Sequence, residues 1–444
     1  MKKIMVILLL CSSTLSAQDD AVQTSSTSEL GTLDLETIIQ RTIVHSKAIE
    51  RAQHDLNAQV ERTRSNWANV APRVQADYNE LHFKDKLIAP FGPQSLLVRN
   101  DKSKTGTLSI VQPITGLYAL SEKAHFEEEQ KHLSELDVKI TTRDLSFSVA
   151  EVYVRAIQAK NMQQVLKDSV FAVEQQRDNA RILERAGRIT HADTLRFELA
   201  LSEAKAAASK VHAQLEILRG HLAEVIGEKS LSIDAIPTNL PELKQDALPS
   251  PDILIEEAQR TRLDLDKARS AKRMVEFGTK LAYAQFSPQV NLFARWEKNF
   301  GELTALSGER VTPVYGVQVT WQIWNNGSQI FDLRESFERE AASRAGYEEA
   351  EKWVRLDALK SVEEAKSLIE TRELAKVAVQ QAEEAYRIEE AQFRTGNKSS
   401  TDLVLTHSAL SGARGRFVSA QADLVLAHFQ VQKARGVERP MVSL

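Results

Sequence analysis

The sequence predicts a mainly α protein with a four-stranded β contribution, arranged as two tandem repeats of helix, strand, strand and helical hairpin. Three observations carry this. Proline is unevenly placed, with none between Pro113 and Pro237 or between Pro313 and Pro440, and both free stretches are rich in Ala, Leu, Glu, Gln, Arg and Lys, so each is mostly helix. Shorter stretches ahead of them alternate apolar and polar residues with a period of two. The order of these signals is given twice along the chain, which is the mark of an internal repeat.

From the start, Met1–Ala17 carries Lys2 and Lys3, the apolar run Ile4–Leu10 and then Ser12, Ser13, Thr14, Ser16 and Ala17. This reads as an export signal, followed by a leader over 18–34. The single cysteine, Cys11, lies inside the signal, and Leu10 before it is not the small residue of a lipoprotein box. The mature chain is therefore expected to be cysteine-free and indifferent to an oxidising compartment. No later run approaches the roughly 20 apolar residues of a spanning helix.

The first repeat is expected over 35–236. Leu35–Val70 has a helical stripe of Ile38, Ile39, Ile49, Ala52 and Leu56 and stops at Ala71-Pro72. Ile253–Phe286 does the same and stops at Ser287-Pro288, 216 residues later, and that offset also pairs Ile38 with Leu254, Ile39 with Ile255, Ile49 with Leu265 and Ala52 with Ala268. Pro72 and Pro288 are thus strand-opening prolines in equivalent places. After the second, Val290, Leu292, Ala294 and Trp296 alternate with Gln289, Asn291, Arg295 and Glu297 over 289–300; over 314–324, Tyr315, Val317, Val319, Trp321 and Ile323 alternate with Gly316, Gln318, Thr320 and Gln322. Weaker versions cover 73–83 and 105–113. Polar segments holding Gly or Pro, Lys84–Lys104 and Gly301–Pro313, are expected as the hairpin loops.

Two long helices follow, from about Leu117 to Ala186 and from about Ser328 to Thr395, each near 100 Å at about 1.5 Å per residue. Each is interrupted at a tip, 185–193 and 394–402, where Gly is followed by Thr or Ser three later and by Asp six later: Gly187, Thr190, Asp193 and Gly396, Ser399, Asp402. Glycine ends one helix in a left-handed cap, the hydroxyl caps the next, and the aspartate suits the positive end of its dipole. The return helices run to about Gly227 and Gly436. A proline-rich connector is expected over 237–250, the second repeat over 251–436 and a tail over 437–444.

Several chemistries find no footing. A formal net charge of −4 lacks the basic excess that nucleic acid demands. There is no Gly-x-Ser-x-Gly and no Gly-x-Gly-x-x-Gly, and Gly396-Asn397-Lys398-Ser399 departs from a phosphate loop because Lys398 does not follow glycine and position 391 is Ala. The ten histidines show neither a His-x-x-x-His pair nor a Cys partner. No catalytic, cofactor-binding or metal site is expected, and the protein is not expected to be an enzyme. His191 and His407, near the tips, read as solvated or capping groups. The runs Glu127-Glu128-Glu129 and Glu348-Glu349-Ala350-Glu351 read as wet helix faces.

Four strands of about ten residues suit a tilted bilayer crossing, yet four strands leave edges that lipid cannot satisfy. Other chains must complete the sheet. Two copies would give eight strands and three would give twelve, and only the larger number leaves a usable lumen. Val290, Leu292, Trp296, Tyr315, Val317, Val319 and Trp321 would then face lipid. A soluble sheet with one wet face is the alternative for isolated strands. Helices of this length bury their stripes against each other as antiparallel coiled coils.

The duplicated order, with Ala71-Pro72-Arg73-Val74 and Ser287-Pro288-Gln289-Val290 opening strands, Gly-x-x-Thr/Ser-x-x-Asp at both tips and Trp321-Gln322-Ile323-Trp324-Asn325-Asn326-Gly327 at a strand-to-helix junction, resembles the TolC-type outer-membrane efflux proteins over about Leu33–Gly436. Val111-Gln112-Pro113-Ile114-Thr115-Gly116 follows that junction only loosely. The resemblance implies a homotrimer, a 12-stranded outer-membrane barrel in lipid and a periplasmic helical tunnel, docked through its tips to a periplasmic adaptor (membrane fusion) protein and an inner-membrane transporter. It implies passive conduction in efflux or type I secretion from a Gram-negative bacterium. A soluble periplasmic coiled-coil spacer or tether is the alternative. The resemblance also implies a closed tip held by a Tyr three before the second Gly, a basic residue two after it and the Asp of the first tip. Those positions are Phe393, Lys398 and Asp193, so the tyrosine hydroxyl is missing, a lysine stands for an arginine, and Leu405 replaces an acidic residue found in some members.

Overall fold

The computed structural model describes residues 34–240, 248–300, 311–395 and 397–441. The expected export signal with Cys11, nearly all of the leader, part of the connector, most of the second hairpin loop, the last residues of the tail and the tip residue Gly396 lie outside the described residues.

The protein is mainly helical, with one four-stranded antiparallel sheet. In chain order the elements are α1 (Leu35–His45), α2 (Lys47–Ala68), β1 (Arg73–His82), β2 (Leu87–Phe91), β3 (Gln94–Arg99), β4 (Lys102–Pro113), α3 (Gly116–Arg185), α4 (His191–Val225), α5 (Pro251–Thr261), α6 (Leu263–Ala284), β5 (Gln289–Asn299), β6 (Thr312–Thr320), α7 (Ser328–Arg394) and α8 (Ser400–Arg435). Two differences from the sequence reading stand out. The helix expected unbroken from Leu35 to Val70 stops and restarts at Ser46, whose extended backbone (ψ 114°) lets its hydroxyl accept from the Ile49 amide and cap α2. Its counterpart breaks at Arg262, also extended, whose guanidinium pairs with Asp264 and Asp357. The segment expected as a polar loop, Lys84–Lys104, contains the β2–β3 hairpin, turned at Gly92 with a positive φ of 63°.

The sheet order is β1-β4-β5-β6, so β1 and β6 each present a free edge among the described residues. Below the sheet, α3 and α7 run for 70 and 67 residues, about 100 Å each. Each turns back on a partner, α4 or α8, as an antiparallel pair.

The apolar core lies in a belt partway along these helices, where Ile38, Ile39, Phe147, Val154, Ile157, Leu215, Leu222 and Ile236 join α1, α3, α4 and the turn after α4. A second cluster of Leu254, Ala258, Leu265, Val354, Ala358, Val362, Ala427 and Val431 joins α5 to α7 and α8. Alanine at so many of these positions lets the helix axes approach closely. Beside the belt, Arg143 of α3 is 3% exposed and forks both oxygens of Asp264 at 3.1 Å, while also holding Asp144. A buried guanidinium is stable only when paired this way. Arg143→Ala takes one partner from each carboxylate, leaving Asp264 with Arg262 and Asp144 with Lys433, and opens a cavity. Because Asp264 keeps about a third of its side chain exposed, water offsets part of the loss, and the expected cost is about 1–3 kcal/mol. A fall in the thermal midpoint of the detergent-solubilised protein is the reading that checks it.

The run Glu127-Glu128-Glu129 is the wet face the sequence suggested only at Glu128, which is exposed. Glu127 is 1% exposed, accepts from the Gln59 amide at 2.8 Å and is paired with Lys123 at 2.8 Å. Glu129 is held by Arg273 of α6 at 2.9 Å. Glu127 and Glu129 face the α2–α3 and α3–α6 seams because α3 is flanked by helices on more than one side.

Candidate functional site

Two regions hold the candidate residues, the sheet and the hairpin tips. Pro72 and Pro288 stand immediately before β1 and β5, where a missing amide costs no ladder hydrogen bond. The register then sorts the side chains. Val74 is opposite Ile110, Ala76 opposite Leu108, Leu108 opposite Trp296, Ile110 opposite Ala294, Val290 opposite Val319, Leu292 opposite Val317 and Ala294 opposite Tyr315. Residues alternate faces along a strand, so these fall on one face of all four strands. Arg73, Gln75, Asp77, Thr105, Thr107, Ser109, Gln289, Asn291, Arg295, Glu297, Gln318 and Thr320 fall on the other. The apolar face is bare: Val74, Tyr78, Leu292, Tyr315, Val317 and Val319 are all exposed.

Aromatic and basic residues gather where that face ends. The Phe300 ring lies over Gly106, close enough that a Cβ there would meet it at 2.8 Å, with Tyr78 tilted beside it and the Lys298 ammonium 5.1 Å from the ring centre. At the helical end, Trp321 lies one residue beyond β6 rather than within it, and its indole donates to the Phe286 carbonyl at 3.2 Å. Trp324 and Phe331 are exposed nearby, about a left-handed Gly327 (φ 78°) that turns the chain into α7.

At the tips the two hairpins are built alike. Gly187 has a φ of 71°, a left-handed end to α3. Thr190 and Asp193 form a full capping box on α4, as Ser399 and Asp402 do on α8. Asp193 does more than cap. One oxygen takes the Thr190 hydroxyl and amide at 2.7 and 3.0 Å, while the other takes the Ser400 hydroxyl of the neighbouring hairpin at 2.5 Å and the Arg196 guanidinium at 2.9 Å. These donors, Ser400 first and then Thr190, hold the Asp193 carboxyl at about 2. Phe393 meets Phe197 edge-on, with centroids 5.8 Å apart, over buried Ala180 and Leu403. Within one chain Lys398 pairs with Glu389 at 3.1 Å, so Asp193 and Lys398 engage different partners.

Sequence reasoning gave no role to Ser400, although it lies within the second glycine-to-aspartate span, and missed Arg196, Tyr386 and Gln176, which lie outside both spans. It read both tip histidines as solvated or capping groups. His191 is exposed and bonded to Glu184 at 2.8 Å, but His407 is 7% exposed, because its ring packs edge-on against Tyr386. Among the described residues no group of three or more His, Cys, Asp or Glu is placed to hold a metal, and no helix is long and apolar enough to cross a membrane.

Residues 254–437 match the family model described as outer membrane efflux protein. Over these residues the chain is similar to that family. Among solved structures, the outer membrane protein VceC from Vibrio cholerae is 17% identical, with 90% of this chain and 96% of that chain covered and a TM-score of 0.77. The Campylobacter jejuni CmeC outer membrane channel is 12% identical over 92% and 87%, at 0.76. The open state of the Neisseria gonorrhoeae MtrE outer membrane channel is 16% identical over 94% and 95%, at 0.74. At these identities the likeness is one of fold, and it spans nearly the whole chain. No curated protein matches the sequence. The family match over the second repeat and the likeness of fold together support reading the chain as an outer-membrane channel component. A soluble spacer is not favoured, since its sheet would leave an apolar face bare to water.

Proposed function

We propose that three copies of the protein close a 12-stranded barrel, β6 of each chain pairing with β1 of the next. The observation that carries this is the continuous apolar face over four strands whose two outer edges are both unpaired. Strands of 9 to 12 residues, tilted, match a hydrocarbon core of about 30 Å. Val290, Leu292, Trp296, Tyr315, Val317 and Val319 then face lipid, and Trp321 sits at the periplasmic interface. The long hairpins continue the barrel as a tunnel through the periplasm. At its far end the tips, with Gly187, Thr190, Asp193, Phe393, Gly396, Lys398, Ser399 and Asp402, form the closable entrance and the surface for a periplasmic adaptor. Substrates pass passively, driven by an inner-membrane transporter. The chain would contribute a polar lumen and a gate but no bond-making chemistry.

The mass of the purified mature protein in detergent tests this reading. Three chains per particle is the expected result, and a stable monomeric barrel would overturn it.

A further inference from the structure

The seam between the two hairpins of one chain contains a buried imidazole with no part in the tip caps. His407 of α8 stands two turns beyond the Ser399 cap, and its ring meets the Tyr386 ring of α7 edge-on with centroids 5.5 Å apart. The Tyr386 hydroxyl in turn accepts from the side-chain amide of Gln176 of α3 at 2.5 Å, and Gln176 is 7% exposed. One line of contacts thus crosses from α8 through α7 to α3, beside a groove of about 340 Å³. The charged and titratable groups around the imidazole are Asp168 of α3, Glu203 of α4, Glu383 and Tyr386 of α7 and Arg414 of α8 itself. Glu383 is engaged by Arg414 at 2.8 Å and Asp168 by the Gln164 amide at 2.8 Å. None of these carboxylates has an oxygen within 4.0 Å of a His407 ring nitrogen.

We propose that His407 is an acid-sensitive lock on this seam: neutral, it packs the two hairpins together, and a proton on its imidazole favours their separation in the tip third of the helices. The proposal rests on the channel reading for its consequence, not for its geometry. An imidazolium at this place lacks a counter-ion and has lost most of its water. Burial, and after it the Arg414 charge, holds the imidazole below its ordinary value of 6.5. The packed form therefore binds a proton more weakly than a parted form in which the ring is wet. Packing is fully favoured above about 6.5 and loses ground as pH falls below it. Asp193, at about 2, stays ionised through that window and gives no response there.

Hydrogen–deuterium exchange of residues 400–411, corrected for intrinsic rates, reads the seam directly in the detergent-solubilised mature protein at pH 7.5 and 5.0, and single-channel conductance is recorded in parallel. The expected result is a threefold or greater loss of protection at pH 5.0 together with a rise in conductance. His407→Phe, which keeps a ring that cannot protonate, and His407→Gln should both lose the pH dependence, whatever each does to absolute protection. Equal wild-type protection at the two pH values, or an undiminished pH response in both variants, overturns the lock. A wild-type seam that loosens in acid while no conductance appears at either pH would sink the channel reading and leave the lock standing.

Discussion

Val319→Arg and Leu292→Arg block assembly of the protein in the outer membrane, whereas Gln318→Arg and Asn291→Arg leave its yield within about twofold of wild type. The four positions are neighbours in one pair of strands. Asn291 is opposite Gln318, Leu292 is opposite Val317 and Val319 is opposite Val290, so each substitution has a control one residue away on the other face. On the proposed barrel, a charge at Leu292 enters hydrocarbon at a cost approaching the ~2–4 kcal/mol per chain of a midplane arginine, and one at Val319, two residues from the interfacial Trp321, costs less. Three chains carry that cost together, and it falls on strands that must insert at once. At Gln318 or Asn291 the same guanidinium enters a watery lumen already holding Arg295 and Glu297, where the cost is small. Heat-modifiable oligomer on unboiled gels of outer-membrane fractions is the readout. Equal yields from the two classes would refute the assignment of faces.

That assignment is legible in the sequence because a strand's faces alternate strictly, and Val290, Leu292, Ala294 and Trp296 keep the beat. Phe293 breaks it. It falls on the polar face, its ring over Gly316, where a Cβ would meet it at 3.4 Å; the missing side chain on β6 makes room for an aromatic that periodicity alone cannot explain. The helix breaks were hidden for related reasons. Ser46 interrupts an apolar stripe that continues on both sides of it, and Arg262 is a good helix former that takes an extended backbone with its guanidinium on Asp264 and, far along the chain, Asp357. Local propensity has no view of such partners. In Lys84–Lys104 the signals Pro90, Gly92 and Pro93 mark a turn correctly, but the strands that flank it are too short for alternation to show. At the tips the caps were readable, since a capping box is written within a few residues. The bond from Ser400 to Asp193 was not, because it joins positions 207 apart, and neither was the burial of His407, which depends on a tyrosine of another helix.

The Ser400 to Asp193 bond leads to the second large effect. Asp193→Ala and Ser400→Ala are each expected to raise single-channel conductance in planar bilayers, with the double mutant no more open than Asp193→Ala alone. The Asp193 carboxylate serves both hairpins: it closes the cap of α4 and, through its other oxygen, holds the first residue of α8. Phe393 lacks the hydroxyl that the family resemblance implies, and the Ser400 hydroxyl supplies a donor from a neighbouring position. A hydrogen bond to a charged group contributes about 1.5–3 kcal/mol when buried, and less at a partly exposed tip. If each of three symmetry-related latches loses about 1 kcal/mol, the ratio of closed to open entrance shifts roughly a hundredfold. Asp193→Ala also removes the α4 cap, worth about 1 kcal/mol, so Ser400→Ala is the cleaner probe because it leaves both capping boxes intact. Lys398→Ala separates the latch from the family's arrangement. Within one chain Lys398 is bound to Glu389, so its removal should change conductance less than Ser400→Ala does. Should Lys398→Ala open the channel while Ser400→Ala leaves it shut, closure would depend on contacts between neighbouring chains, and the bond within the chain would be only a brace for the tip.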